Sequence, residues 1–434
     1  MVLSPVARQF LVAGSTHLAA LSAGGVIAYP SVLLEQLKAN DTIIQLDLHK
    51  GSWIGSVHGM AGIPSMLMPF IMQYRGRRFA FIFSCVLIIV GWIFTYIAQN
   101  ISTLIIGECF HGLGTNSLIA VSFLSVSEML QPSYRNTSLL LYGTIQALGI
   151  SSVGIIGRYL HWKTVGLIMC SPALMATLLG CLWPESPSWL AYKGRFKECE
   201  QSFVRLRGTD EESKKELKAL INSQKEELKI KSVTKLQDLK HTITSRDFCL
   251  PAFHTFVLIN VTYWGGGMPV IIYSNDMIMK ISGAFNAKAK LTMDILLFVG
   301  YNIASVIVHY CSSKKTMLFS MTGSAVFMGG ATVTTYLERV GVLSKEPELA
   351  VYCLVGFIAF LSLGSSCIGF SIASEIMPVK HRGVGGCLYI LYTYVPDTRN
   401  RTLKEIEDFY TLGHFKALDK NDAVDVPFIK SEID

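Results

Sequence analysis

The chain has 434 residues, 51% hydrophobic and only 16% charged, with a mean hydropathy of +0.42. A soluble globular protein carries about a quarter charged residues, and here Lys and Arg avoid the middles of the long apolar runs. Runs of about 20 apolar residues match a hydrocarbon core of roughly 30 Å, so a soluble enzyme and a disordered chain are excluded and a polytopic membrane protein is predicted. The net charge of +7 is no nucleic-acid footprint, because the basic residues lie in loops among acids and no aromatic-basic motif recurs.

In chain order, spans are predicted at about 10–34, 53–72, 79–98, 103–127, 137–159 and 164–183, then at 250–274, 291–310, 317–337 and 349–373. The first run is too long for a cleavable signal peptide and lacks a small-residue cleavage site. Gly24-Gly25, Pro30, Pro64, Gly112, Gly114 and Gly265 to Gly267 fall inside spans, where membrane helices tolerate them when packed against neighbours. The ten cysteines lie mostly in or beside these runs, as at Cys85, Cys109, Cys170, Cys353 and Cys367. Without disulfide or CxxC spacing they read as small buried hydrophobes.

Between spans six and seven, residues 193–240 are charged and helix-prone, with Leu217, Leu220, Ile221 and Leu228 at helical spacing. These predict two or three helices outside the membrane. The expected domains are a six-helix bundle (1–184), a helical linker (185–247), an incomplete four-helix bundle (248–386) and a tail (387–434). Basic residues in short loops divide evenly between the two sides. The tight clusters Arg75/Arg77/Arg78, Lys314/Lys315 and Lys380/Arg382 share the insert's side, which places the insert and both termini in the cytoplasm.

Two segments repeat. Ser127-Glu128-Met129-Leu130-Gln131-Pro132 with Arg135 follows span four, and Ser374-Glu375-Ile376-Met377-Pro378 with Arg382 follows span ten. Each Arg stands seven residues past its Glu. Arg77-Arg78 matches Lys314-Lys315, and Pro184-Glu185-Ser186 finds a counterpart in Pro396-Asp397-Thr398. Parallel repeats of six spans mark one large class of transporters. With YRGRR at 74–78, PESPSWLAYKGR at 184–195, SEIMPVKHRG at 374–383 and VPDTRNRTLKEIEDFY at 395–410, the chain resembles the sugar porter branch of the major facilitator superfamily. Within that branch it is similar to the facilitated trehalose transporter-like proteins of insects. The resemblance implies an all-α membrane fold in which two bundles enclose a central sugar site and open alternately to either side.

The repeat also exposes a shortfall. Glu128 to Pro184 is 56 residues, whereas Glu375 to Pro396 is only 21. The second half is therefore expected to lack its fifth and sixth helices, giving about ten spans, and the remnant Gly383 to Tyr394 is too short to cross a bilayer. A bundle so shortened is expected to insert but not to rock as one rigid body.

The resemblance assigns Glu128, Arg135, Glu375, Arg382, Glu185, Arg77 and Arg78 to ion-pair networks that hold the cytoplasmic side shut. Plain helix-end anchoring is the competing reading. Arg77 and Arg78 belong to a degraded motif, with Gln73 for its acid and Pro69 for its leading Gly. Sugar contacts are implied at Gln146, whose amide both donates and accepts, at the outer-gate aromatic Tyr273, and at Phe370, which replaces a family tryptophan. Asn302 is a further polar group, equally suited to packing. Thr262, Tyr263 and Met268 replace the family's span-seven amides. Span one has no carboxylate, so a uniporter is expected rather than a proton-coupled carrier.

His17, His58, His111 and Glu108 lie in or near spans. With no carboxylate or Cys at ligand spacing from the histidines, no metal site is expected, and Glu108 replaces a family arginine. Asn40 heads an outer-loop glycosylation sequon. The function expected is facilitated diffusion of trehalose or a hexose, with lipid and a small sugar as partners and no enzymatic step or cofactor. The alternative is a non-transporting sensor or regulatory isoform.

Overall fold

The computed structural model describes residues 4–37, 44, 48–230, 266–283, 286–311, 313–342 and 347–364. All regular structure among them is helical. The first half comprises α1 (Pro5–Leu37), α2 (Leu48–Ala61), α3 (Met68–Arg75), α4 (Arg77–Ile97), α5 (Ile101–Met129), α6 (Pro132–Ile156) and α7 (Trp162–Gly180). Three helices of the insert follow: α8 (Pro187–Tyr192), α9 (Phe196–Arg207) and α10 (Glu211–Ile230). The second half contributes α11 (Gly267–Ile272), α12 (Ser274–Ser282), α13 (Ala287–Tyr310), α14 (Ser313–Val340) and α15 (Pro347–Ser362).

Among the described residues eight stretches are long and apolar enough to cross a bilayer, and they match predicted spans one to six, eight and nine. Span ten is described only as far as Gly364, as α15, and span seven only from Gly266 onward. Phe370, Glu375, Arg382, Asn40 and the region after Gly383 that is expected to be shortened lie outside the described residues. The ends of the helices follow local chemistry. Span two breaks into α2, a 3₁₀ turn (Ile63–Leu67) and α3 at Pro64 and Pro69, which lack the amide a continuous helix needs. Asn100 caps α5 by accepting from the Thr103 amide at 2.9 Å, and Pro132 and Pro187 open α6 and α8.

Helix α1 is the hub, packed against α6, α7 and α5 and buried along most of its length. Small residues set these crossings. A Cβ on Gly24 would lie 2.0 Å from the Gln146 carbonyl of α6, and one on Gly149 would lie 2.1 Å from the Leu21 carbonyl. In a bilayer the hydrophobic effect does not press helices together, so such backbone-to-backbone approach supplies the attraction. Helices α4, α7 and α13 turn large apolar residues outward, including Phe83, Ile93, Leu174, Leu178, Val299 and Val306, as lipid contact allows.

The insert has its own small core of Trp189, Leu190, Ala191, Cys199, Phe203 and Leu217, with Leu220 and Ile221 packed beside it. It is tied to the membrane bundle by α1, where Gln9 Nε2 donates to the Leu206 carbonyl at 2.7 Å and Arg8 to the Arg205 carbonyl at 3.0 Å. Arg207 reaches the Leu130 carbonyl at 2.9 Å, which joins the insert to the end of α5.

Candidate functional site

At the insert end, three loops that are far apart in sequence converge on one buried cluster. Gly76 turns the chain between α3 and α4 with φ of 98°, a conformation that costs any residue with a Cβ. This aims the Arg77 side chain inward, where Nε and Nη2 donate to Glu128 Oε2 and Oε1, both at 2.9 Å. Less than a tenth of either side chain is exposed. Arg77 Nη1 also donates to the Met72 carbonyl, and Ser186 Oγ donates to Glu128 Oε2 at 2.6 Å.

Glu185 completes the cluster from the loop after α7. Its Oε1 accepts from the backbone amides of Arg77 at 2.7 Å, Ser186 at 3.0 Å and Arg78 at 3.3 Å. Burial pushes its carboxyl above the ordinary carboxylate range, although those amides and the Arg77 guanidinium pull the other way. Arg78 is exposed and donates to the Cys181 carbonyl. Trp189 closes the rim with Nε1 on the Gln73 carbonyl at 2.9 Å.

The expected grouping needs one correction. Glu128 takes Arg77 as its partner, not Arg135. Arg135 lies close enough to Arg207 to repel it, and its buried Nε has no hydrogen-bond partner among the described residues. The reason is geometric. Arg77 enters from a loop that crosses the end of α5, whereas Arg135 follows Glu128 beyond the helix break at Leu130 and starts out along α6.

The opposite end is reached along α1, since a helix rises roughly 40 Å from Gln9 to Gln36. Here the two halves touch. Asn275 Nδ2 donates to Glu35 Oε2 at 2.6 Å, Ser151 Oγ to the Asp294 carbonyl at 2.6 Å, and Arg158 to the Ala287 carbonyl at 2.8 Å. Lys290 and Asp294 form a buried pair at 2.5 Å, and a Cβ on Gly154 would sit 2.4 Å from Asp294 Oδ2. The Asn275, Ser151 and Arg158 hydrogen bonds join the first six spans to the second set at this end. A cleft of about 630 Å³ between them is lined by Glu35, Gln36, Arg158, His161, Asn275 and Lys290 among others.

Tyr273, at the junction of α11 and α12, reaches across to α2, its hydroxyl 2.4 Å from where a Gly55 Cβ would stand. Gln146 is half-buried on α6, its backbone against Gly24. Asn302 lies on the exposed stripe of α13 with Val299, Ile303 and Val306, and its amide donates to the Phe298 carbonyl at 2.8 Å. That stripe is not the buried one formed by Leu297, Tyr301 and Ala304. A further correction concerns Glu108, which does stand against two histidines. Its Oε1 is 3.4 Å from His111 Nδ1 and its Oε2 is 3.5 Å from His58 Nδ1. The i,i+3 spacing of Glu108 and His111 on one helix was the available signal.

A family model described as "Sugar (and other) transporter" matches residues 22–389. The facilitated trehalose transporter Tret1 of Drosophila virilis is 26% identical over 385 residues, covering 86% of this chain and 41% of that protein. Tret1 of Apis mellifera ligustica is 24% identical over 392 residues, covering 89% of this chain and 77% of that protein. The chain thus spans about two fifths of the fly protein's length. Its fold is similar to the proton:xylose symporter XylE bound to 6-bromo-6-deoxy-D-glucose, with a TM-score of 0.73 and 15% identity over 94% of this chain and 88% of that one. An inward open conformation of XylE from E. coli gives 0.68 at 15% identity, over 93% and 92%. With 22–389 matched, this chain belongs to the sugar (and other) transporter family.

Proposed function

We propose that the chain is a facilitative carrier for a small sugar, trehalose or a hexose, working by alternating access with its insert and termini in the cytoplasm. The observation that carries the reading is the pairing of two unlike ends. The insert end of the first half is locked by Arg77, Glu128 and Glu185, while the two halves meet at the opposite end through Glu35–Asn275 and Ser151–Asp294. Ion pairs near water suit a switch, because a buried pair fixes one arrangement without adding much net stability. Glu375 and Arg382 are assigned the equivalent cluster in the second half. Gln146, Phe370 and Tyr273 are assigned to the sugar, as an amide and two aromatic groups are what hydroxyl-rich ligands need. Asn302 is the weakest member of that set, given its exposed stripe. Phospholipid is the only other partner proposed.

A second reading has one observation in its favour. The 35-residue difference between the two repeat spacings removes two helices from the second bundle, which fits a non-transporting derivative of a carrier. Tracer trehalose and glucose uptake in a transport-null cell tests both readings. It should be run on this chain and on a version carrying a related carrier's two-helix segment after Cys387. Saturable uptake by both supports the carrier, and uptake by the completed version alone supports the derivative. Uptake by neither overturns the sugar assignment.

A further inference from the structure

We propose that His58, Glu108 and His111 form a proton-binding site that holds one proton between His58 Nδ1 and Glu108 Oε2 and so ties proton occupancy to the packing of α2. The proposal does not depend on which sugar, if any, the chain carries.

A count of donors and acceptors leads there. Glu108 and His111 are 1% and 0% exposed and His58 only 12%, so their polar atoms must satisfy one another. His111 Nδ1 faces Glu108 Oε1 at 3.4 Å, and a carboxylate oxygen only accepts, so Nδ1 carries the proton. The buried Nε2 has no partner among the described residues to receive a second, and the tautomer that fits is the neutral one with Nε2 bare. His58 Nε2 faces Thr115 Oγ1 at 3.4 Å, but the Thr115 hydroxyl hydrogen is committed to the His111 carbonyl at 2.6 Å. Thr115 can therefore only accept, and His58 carries its proton on Nε2. A neutral His58 then presents the Nδ1 lone pair to Glu108 Oε2 at 3.5 Å, and among the described residues neither atom has a hydrogen-bond partner. One additional proton turns this repulsive contact into a donor–acceptor pair. It leaves the site neutral overall, whether it is drawn as imidazolium with carboxylate or as imidazole with carboxylic acid.

The surroundings, among the described residues, offer no other source of compensation. Among the described residues the titratable groups that act on Glu108 are the two histidines, Tyr29 of α1 and Cys109 of α5. Helix α4 offers Trp92, stacked edge-on to His111 at 4.4 Å, and Thr95, whose hydroxyl donates to the Gly91 carbonyl. No Lys or Arg is among these groups. Loss of the proton would leave a buried carboxylate without a cation, a strongly unfavourable arrangement that only movement of His58 or water entry relieves.

Movement of His58 means movement of α2. Helix α5 presses on α2 at this level, since a Cβ on Gly112 would lie 2.1 Å from the His58 carbonyl. One helical turn before His58 is Gly55, the residue against which Tyr273 of the second half packs. His58 is also the most exposed member of the trio and so the one through which a proton enters. A protonated site holds α2 against α5 and in place for Tyr273, and a deprotonated one loosens it.

Infrared difference spectroscopy on the purified full chain in lipid, stepped from acid to alkaline pH, tests the site without any transport measurement. A carboxyl or carboxylate band that titrates in the wild type should vanish in Glu108→Gln and shift its midpoint in His58→Gln. Hydrogen–deuterium exchange of α2, corrected for intrinsic rate, should rise with pH in the wild type. It should stay low in Glu108→Gln, which mimics the protonated acid. Spectra identical in wild type and Glu108→Gln overturn the proposal, as does pH-independent α2 exchange in the wild type. Were Glu108→Gln not to fold, ring-nitrogen NMR of ¹⁵N-histidine-labelled wild type decides. His58 should carry both ring protons at acid pH and lose the Nδ1 proton first, and a His58 that keeps its Nδ1 bare throughout, with no carboxylic acid signal at any pH, overturns it.

Discussion

Arg77 and Glu128 meet side by side at the insert end of the first bundle, two parallel hydrogen bonds of 2.9 Å joining guanidinium and carboxylate. The pair links the loop between spans two and three to the end of span four. Removing one partner leaves the other charged and buried, a penalty of about 3–5 kcal/mol. Arg77→Ala should therefore lower the unfolding midpoint of the purified chain sharply. Arg77→Lys, which keeps the charge but loses the fork, should fall between. Equal midpoints for Arg77→Ala and wild type would remove the cluster's structural role.

Glu185 gives a pH dependence whose sign can be worked out. Burial raises its carboxyl above the ordinary value of 4.5, so in acid the folded chain holds that proton after the unfolded chain has lost it. Stability falls as pH rises wherever the folded state binds more protons. The Glu185 contribution should thus decline as pH climbs from about 4.5 through the raised folded value, and be flat below that window. Glu185→Gln, which retains an oxygen for the three amides, should lack that decline. Thermal melts of both proteins across the window make the comparison, and parallel curves would refute it.

Gly24 marks the closest approach of α1 and α6. An added Cβ would lie 2.0 Å from a backbone carbonyl, which cannot swing aside as a side chain can. Gly24→Ala should force the helices apart at a cost of about 1–3 kcal/mol. Gly14→Ala, where a Cβ meets nothing within 4 Å, should be neutral. Detergent-melt midpoints for the two variants check the contrast.

Gln146 carries a prediction on ligand affinity. Removing an amide that pairs with a sugar hydroxyl leaves that hydroxyl unsatisfied at a cost of about 1–3 kcal/mol. Gln146→Ala should weaken binding of the proposed sugar substrate about ten-fold, read by isothermal titration or by competition with tracer. Its backbone contact with Gly24 is untouched by the change, so an unaltered affinity would speak directly against the side chain's role.

The orientation is open to a simple chemical test. Of the sequons, Asn40 is assigned to the outer loop and Asn136 and Asn400 to the cytoplasm, while Asn100, in the short outer connection before α5, has its side chain engaged in the α5 cap. A single glycan at Asn40, mapped by mass spectrometry of the chain from insect cells, is expected. A glycan at Asn400 would invert the topology.

The transmembrane character and the positions of spans one to six, eight and nine were legible in the sequence, because a bilayer imposes a length and a polarity that a linear reading measures directly. The insert's helical pattern was equally plain, since Leu217, Leu220 and Ile221 repeat at the spacing of one helix face. Glu128, Glu185 and Arg77 all stood out within their motifs, but which arginine pairs with Glu128 did not. Arg77 lies 51 positions from Glu128, and the eye is drawn to Arg135 on the next turn of chain. Only the folding of α4 and α5 side by side, with Gly76 turning the loop inward, decides that the distant arginine wins. The same holds for His58 and Glu108, which stand on neighbouring helices and remain two isolated polar residues until α2 and α5 close on each other at Gly112. Partition into the membrane depends on the local sum of side-chain transfer energies, which the sequence contains. Which buried polar groups meet depends on helix crossings set by close backbone contact, and those exist only once the helices are packed.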